Sequence, residues 1–133
     1  MTRTAVNADT AAKVGPYSHA IQAGDLLFLS GQTPVDPATG TLVVGDTSRQ
    51  TTQCIDNLFA VLERAGLGSA DVVSVQVFLV DMQDFAAMNR AYAARFEEPF
   101  PARTTIGVAS LPLGARVEIA LVAQRKPAVH RSR

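Results

Sequence analysis

The chain has 133 residues, with 12 basic and 12 acidic side chains for a formal net charge of zero, and is 47% apolar. A chain of this size buries a sizeable core as one domain without disulfides, and its single cysteine, Cys54, has no intramolecular partner. Zero net charge removes the basic footprint of a nucleic-acid or anionic-membrane binder, and no run approaches the ~18 apolar residues of a spanning helix.

Residues 2–7 read as a short strand, and residues 10–18 as an irregular loop around Gly15-Pro16-Tyr17. Residues 19–23 and 26–30 form a predicted hairpin through the Gly24-Asp25 turn, closed by Gly31-Gln32. Residues 33–40, T-P-V-D-P-A-T-G, are a turn-rich loop. Thr47 and Gln50 make the T-x-x-Q pattern of a capping box, which opens a helix. Its apolar face is Cys54, Ile55, Leu58, Val61, Leu62 and Ala65, and Gly66 is placed to stop it. Residues 72–80 alternate as a strand, with Val73, Val75, Val77 and Leu79 on one face and Ser74, Gln76, Phe78 and Val80 on the other. Asp84 caps a second predicted helix with Phe85, Met88, Tyr92 and Phe96 on one stripe and Asn89 beside it. Pro99 and Pro101 block its continuation. Residues 104–109 form a strand and 111–115 a turn. The last strand, 117–123, puts Val117, Ile119, Leu121 and Ala123 on one face and Glu118, Ala120 and Val122 on the other.

The order β-β-β-α-β-α-β-β predicts an α+β domain over residues 1–125, a mixed sheet with two helices on one face, followed by a disordered polar tail at 126–133. The second sheet face still carries Phe78, Val80, Ala120 and Val122, and an apolar sheet face is not left in water. Either it packs on another subunit or the strand phases differ from this reading. The first alternative makes a homo-oligomer with clefts between subunits, into which Glu118 points. M-T-R-T-A-V-N lacks a hydrophobic signal core, and a lone cysteine fits a reducing compartment, so a cytoplasmic location is expected. His19 and His130 are far apart, with no metal-ligand spacing around them.

Two residues carry candidate chemistry. Arg103 follows Pro101, and its planar fork of N–H donors matches the two oxygens of a carboxylate. Glu118 lies in a strand with an apolar residue on each side, an unusual setting for a charge that has no task there. The plainer readings are an interface arginine, and a buried salt bridge from Glu118 to Arg116 or to an arginine of another subunit. Cys54, on the apolar helix face, reads as an inert core residue.

Four pieces of sequence then bear on identity: G-P-Y-S at Gly15–Ser18, S-G-Q-T-P-V-D-P-A-T-G at Ser30–Gly40, the Asp81–Tyr92 segment with Phe85 and Asn89, and P-A-R-T-T at Pro101–Thr105 followed by V-E-I at Val117–Ile119. On these, the chain from about Asn7 to Gln124 resembles the Rid family of reactive-intermediate deaminases, and within it the RidA-like imine deaminases. The resemblance implies a chorismate-mutase-like fold assembled as a homotrimer with active-site clefts between subunits. It implies hydrolysis, without a cofactor or metal, of 2-imino acids or their enamine tautomers (2-aminoacrylate/2-iminopropanoate and 2-iminobutanoate) to 2-oxo acids and ammonia. By matched position, Arg103 would hold the substrate carboxylate, assisted by the peptide N–H of Thr105 and by Gly31. Glu118 would aim the water, Tyr17 would lend its hydroxyl, and Asn89 would support the cleft. Many relatives carry cysteine where this chain has Thr105; a main-chain contact survives that change, a thiol-dependent one does not. The rival readings are a regulatory trimer that binds small carboxylates without turnover, a pathway-specific deaminase of another enamine, and an endoribonuclease. Neutral charge and the lack of tryptophan or a basic stacking platform stand against the last.

Overall fold

The computed structural model describes residues 3–9 and 15–126; most of the loop expected at 10–18 and all but the first residue of the predicted tail lie outside the described residues. Six strands make one mixed sheet: β1 (Thr4–Val6), β2 (Ala20–Ala23), β3 (Leu26–Gln32), β6 (Val72–Leu79), β7 (Ala102–Gly107) and β8 (Val117–Gln124), in the order β1-β2-β3-β8-β6-β7. Every pairing is antiparallel except that of β6 with β7. Two helices, α1 (Thr47–Arg64) and α2 (Phe85–Ala93), pack on it. The loop expected at 33–40 contains a further small hairpin, β4 (Val35–Asp36) with β5 (Thr41–Leu42).

The core follows from two periodicities. Leu27, Leu29, Val75, Val77, Leu79, Val117, Ile119 and Leu121 project from one sheet face onto Ile55, Leu58, Val61, Leu62, Met88 and Tyr92 of the helices. A fully buried side chain such as Leu58 contributes roughly 1.5–3 kcal/mol relative to exposure. Gly66, at φ 77°, ends α1 in the left-handed turn anticipated for it: Leu67 N–H donates to Leu62 C=O at 2.8 Å and Gly66 N–H to Glu63 C=O at 2.9 Å.

Three expectations are corrected. The N-cap of α1 is Asp46, whose Oδ1 accepts from Arg49 N–H at 3.0 Å. The T-x-x-Q box is not formed, because Thr47 is the first residue of the helix and not its cap; both side chains bond Arg116 instead, its Nε donating to Thr47 Oγ1 at 3.0 Å and its backbone N–H to Gln50 Oε1 at 2.9 Å. Val73 is 42% exposed and Val72 is buried instead, because β6 carries one extra residue between Val72 and Ser74 where β8 steps only from Ala123 to Val122. α2 ends at Ala93, ahead of the prolines. Phe96 lies beyond the helix yet is buried against Phe59, edge-on at 5.6 Å, and Tyr92 at 4.7 Å.

Elsewhere the strand phases hold, so among the described residues nothing covers the second face of the sheet as the helices cover the first. Phe28 pairs with Val122 there and is 46% exposed, and Phe78 lies between Glu118 and Ile106. Among the described residues no helix is long and apolar enough to cross a membrane, and no group of three or more His, Cys, Asp or Glu is placed to hold a metal.

Candidate active site

β8 places Glu118 on the uncovered face by simple alternation, between buried Val117 and Ile119. Its carboxylate reaches over β3. Between Leu29 and Gln32, β3 carries one residue more than β8 does between Leu121 and Ile119, which bulges Ser30 and Gly31 toward the carboxylate. A Cβ at position 31 would overlap Glu118 Oε2 and lie 3.1 Å from Cδ. The space Gly31 leaves is what lets the carboxylate lie where it does; its φ is not in the left-handed region. Glu118 and Gly31 open into a cleft of about 310 Å³ that Tyr17, Ser30, Thr33, Pro112 and Leu113 also line.

Burial pushes the Glu118 carboxyl above the ordinary carboxylate range. Arg116, the partner within the chain that the plainer salt-bridge reading offered, is engaged elsewhere: its Nη2 meets Asp84 Oδ2 at 3.1 Å, beside the bond to Thr47. Among the described residues no basic group lies within ion-pair distance of Glu118. A half-buried, unpaired carboxylate with raised proton affinity in a cleft has the properties of a general base. Cys54 lies beneath it in the core, its Sγ 3.7 Å from Val117 O, and burial holds the thiol protonated.

Arg103 has a different setting. β7 begins at Ala102, two residues earlier than expected, so Arg103 lies within the edge strand and in register with buried Val75. Its side chain accordingly turns to the helix side. The guanidinium carbon lies 4.8 Å from the Tyr92 ring centre and 5.7 Å from that of Phe85, and Nη1 lies 3.9 Å from Met88 Sδ. Aromatic faces hold the cation without consuming its in-plane donors. No carboxylate among the described residues pairs with it. Asn89, Tyr92, Phe100 and Pro101 complete a second cavity of about 320 Å³ around Arg103. Thr105 follows on the same face of β7, in register with Val77, and its buried Oγ1 has no hydrogen-bond partner among the described residues.

The predicted residues thus fall into two groups. Glu118, Tyr17 and Gly31 share one cavity; Arg103 and Asn89 share another, with Thr105 on the same face of β7 as Arg103. β6 separates the strands that carry Glu118 and Arg103, a span of about 10 Å by strand spacing. The two side chains also project to opposite faces of the sheet. One chain does not bring them together; the β7 edge of one copy would have to meet the open face of another. Sequence reasoning missed Leu113 and the aromatic cradle of Arg103. The turn signal L-P-L-G marked the first as loop only, and Tyr92 read simply as core.

The model of the family described as Endoribonuclease L-PSP matches residues 8–125. A RutC family protein of Pyrococcus horikoshii is 48% identical over 113 residues, covering 85% of this chain and 90% of the relative. A 2-iminobutanoate/2-iminopropanoate deaminase of Salmonella typhimurium is 40% identical over 129 residues, covering 95% of this chain and 100% of the relative. The crystal structure of RidA from an Antarctic Psychrobacter superimposes with a TM-score of 0.88 at 40% identity, over 92% of this chain and 99% of that one. Sequence likeness over nearly the full domain and coincidence of the fold have one conclusion: this chain belongs to the Rid family, the RutC and L-PSP group of proteins.

Proposed function

We propose that the protein hydrolyses 2-imino acids, or their enamine tautomers, to 2-oxo acids and ammonia, in clefts formed where two copies of the chain meet in a homotrimer. The observation that carries the reading is the pairing of two incomplete half-sites on one chain. One holds an unpaired carboxylate above a glycine backbone; the other holds an arginine stacked on an aromatic ring with no acid beside it. The uncovered apolar face around Phe28 and Val122 supports a contact between copies that joins them.

In this mechanism Arg103 of one copy grips the substrate carboxylate, aided by the peptide N–H of Thr105 and, across the contact, of Gly31. Glu118 of the other copy accepts a proton from water as the oxygen attacks the C=N carbon. The carboxyl returns that proton to nitrogen, giving a carbinolamine; the hydroxyl proton then passes to the amine by way of the same carboxylate, and as the C–N bond breaks ammonia leaves and the C=O forms. The sum is R–C(=NH)–COO⁻ + H₂O → R–CO–COO⁻ + NH₃. Every step is a proton transfer or an addition–elimination, so the chemistry asks for no cofactor. Holding water and imine in register supplies up to several kcal/mol of the barrier, and the base adds roughly 10²–10⁴ in rate. Tyr17 borders the reacting centre from the loop before β2, and Asn89 supports the arginine side. A trimer that merely bound carboxylates would need Arg103 but no unpaired Glu118, which favours turnover.

The test is a coupled assay. Added to a threonine dehydratase reaction with semicarbazide as imine trap, the protein should speed 2-oxobutanoate release and reduce trapped imine. Arg103→Ala and Glu118→Gln should each be inactive alone. Co-refolded in equal amounts, they should regain activity in about a quarter of the sites of a cyclic trimer. No acceleration by the wild type sinks the reaction; no recovery on mixing sinks the shared site.

A further inference from the structure

We propose that Leu113 sets the side-chain preference of the cleft, selecting 2-imino acids with a branched or extended apolar side chain over the smallest ones. The inference rests on the reading of the site given above. Among the described residues Leu113 is the only non-glycine residue with positive φ, at φ 63° and ψ 11°. Leucine is poorly suited to that conformation, which glycine and asparagine adopt far more readily. Burial does not compensate for it: the side chain is 57% exposed. The turn is held from outside. Gly114 N–H donates to Leu111 C=O at 3.3 Å, Ala115 N–H donates to Pro112 C=O at 3.1 Å, and Ala115 is buried. Arg116, next in the chain, is tied to Thr47, Gln50 and Asp84. A surrounding that over-determines a strained backbone is the circumstance in which strain persists at functional positions.

What the strained position achieves is a wall. The cleft over Glu118 is otherwise lined by Tyr17, Ser30, Thr33 and neighbouring backbone, which are polar or amphipathic; Pro112 and Leu113 are its apolar part. With the substrate carboxylate on the arginine and the imine carbon at Glu118, the remaining substituent of that carbon has Pro112 and Leu113 as its apolar surface on the Glu118 side, away from the aromatic rings that hold the arginine. Each methylene buried there adds about fourfold in affinity.

Binding of stable 2-oxo acids tests the preference without relying on turnover. Titration calorimetry of the intact oligomer with 4-methyl-2-oxopentanoate and with pyruvate should show the branched acid bound about tenfold more tightly, the gain of roughly half its three extra carbons being buried against an open wall. Leu113→Gly and Leu113→Asn both accept the left-handed backbone. Each should lose most of that ratio through the branched acid alone, with pyruvate affinity, oligomer mass and melting temperature kept or, for the last, raised. An unchanged ratio in both variants overturns the inference. So does equal loss of both acids, or a change in mass, since either assigns Leu113 to the fold or to contacts between copies. A wild type that shows the preference yet hydrolyses no imine would uphold this inference and sink the proposed reaction; one that binds neither acid overturns both.

Discussion

Gly31→Ala isolates the geometry on which the proposed chemistry depends. The backbone of Gly31 is not left-handed, so alanine is conformationally acceptable there, and loss of unfolded-state freedom contributes about 0.4–1 kcal/mol in its favour. Against this, the new Cβ would overlap Glu118 Oε2 and lie 3.1 Å from Cδ and 3.3 Å from Cγ. The obstruction is the end of a flexible side chain, so the chain tolerates it by moving the carboxylate. Restoring ordinary contact takes a retreat of about 1 Å, a displacement of the size that costs ~10²-fold in rate. The expected result is therefore a near-normal thermal transition and normal oligomer mass, with kcat in the coupled dehydratase assay reduced roughly a hundredfold. Full activity in a well-folded Gly31→Ala protein would refute the claim that the close approach of Glu118 to β3 aims the water.

Other expectations follow from the same geometry. Arg103→Lys keeps the charge but loses the fork, so KM should rise by about tenfold or more with a smaller change in kcat, read by steady-state kinetics. Burial raises the Glu118 pKa in the folded chain above its unfolded value. The protonated carboxyl is then the form the fold favours, and the associated stability is present at acid pH and lost as pH rises through the raised value. Glu118→Gln should thus melt higher than wild type at pH 8, with the difference vanishing below the ordinary carboxylate range. The acid limb of kcat/KM in the wild type should lie above the usual glutamate range. Phe28→Asp places a charge in the uncovered apolar face and should give monomers by light scattering, with activity lost although the monomer keeps its helical circular dichroism.

Much of this molecule is local in origin. The buried stripe of α1, its stop at Gly66 and the alternation of β8 follow from 3.6- and 2-residue periods, which belong to the chain itself. That alternation already assigned Glu118 to the face away from the helices and showed that this face would be apolar. Short-range signals were overruled at the start of α1: Asp46 took the cap, and Thr47 and Gln50 bond the distant Arg116 in place of each other.

What periodicity could not supply is pairing between segments remote in sequence. The extra residues in β3 and β6 exist only relative to β8, and they decide that Val72 is buried in place of Val73 and that Gly31 lies under a carboxylate. The face on which Arg103 emerges depends on β7 aligning with β6 at Val75, a register no stretch of β7 encodes alone. The sequence by itself thus determined the long elements, their apolar faces and the two charged residues proposed for the site. Only the tertiary structure decided that those two charges stand on opposite sides of one sheet, because β7 has no clear apolar alternation of its own and the sense of Arg103 is fixed by its alignment with Val75 of β6.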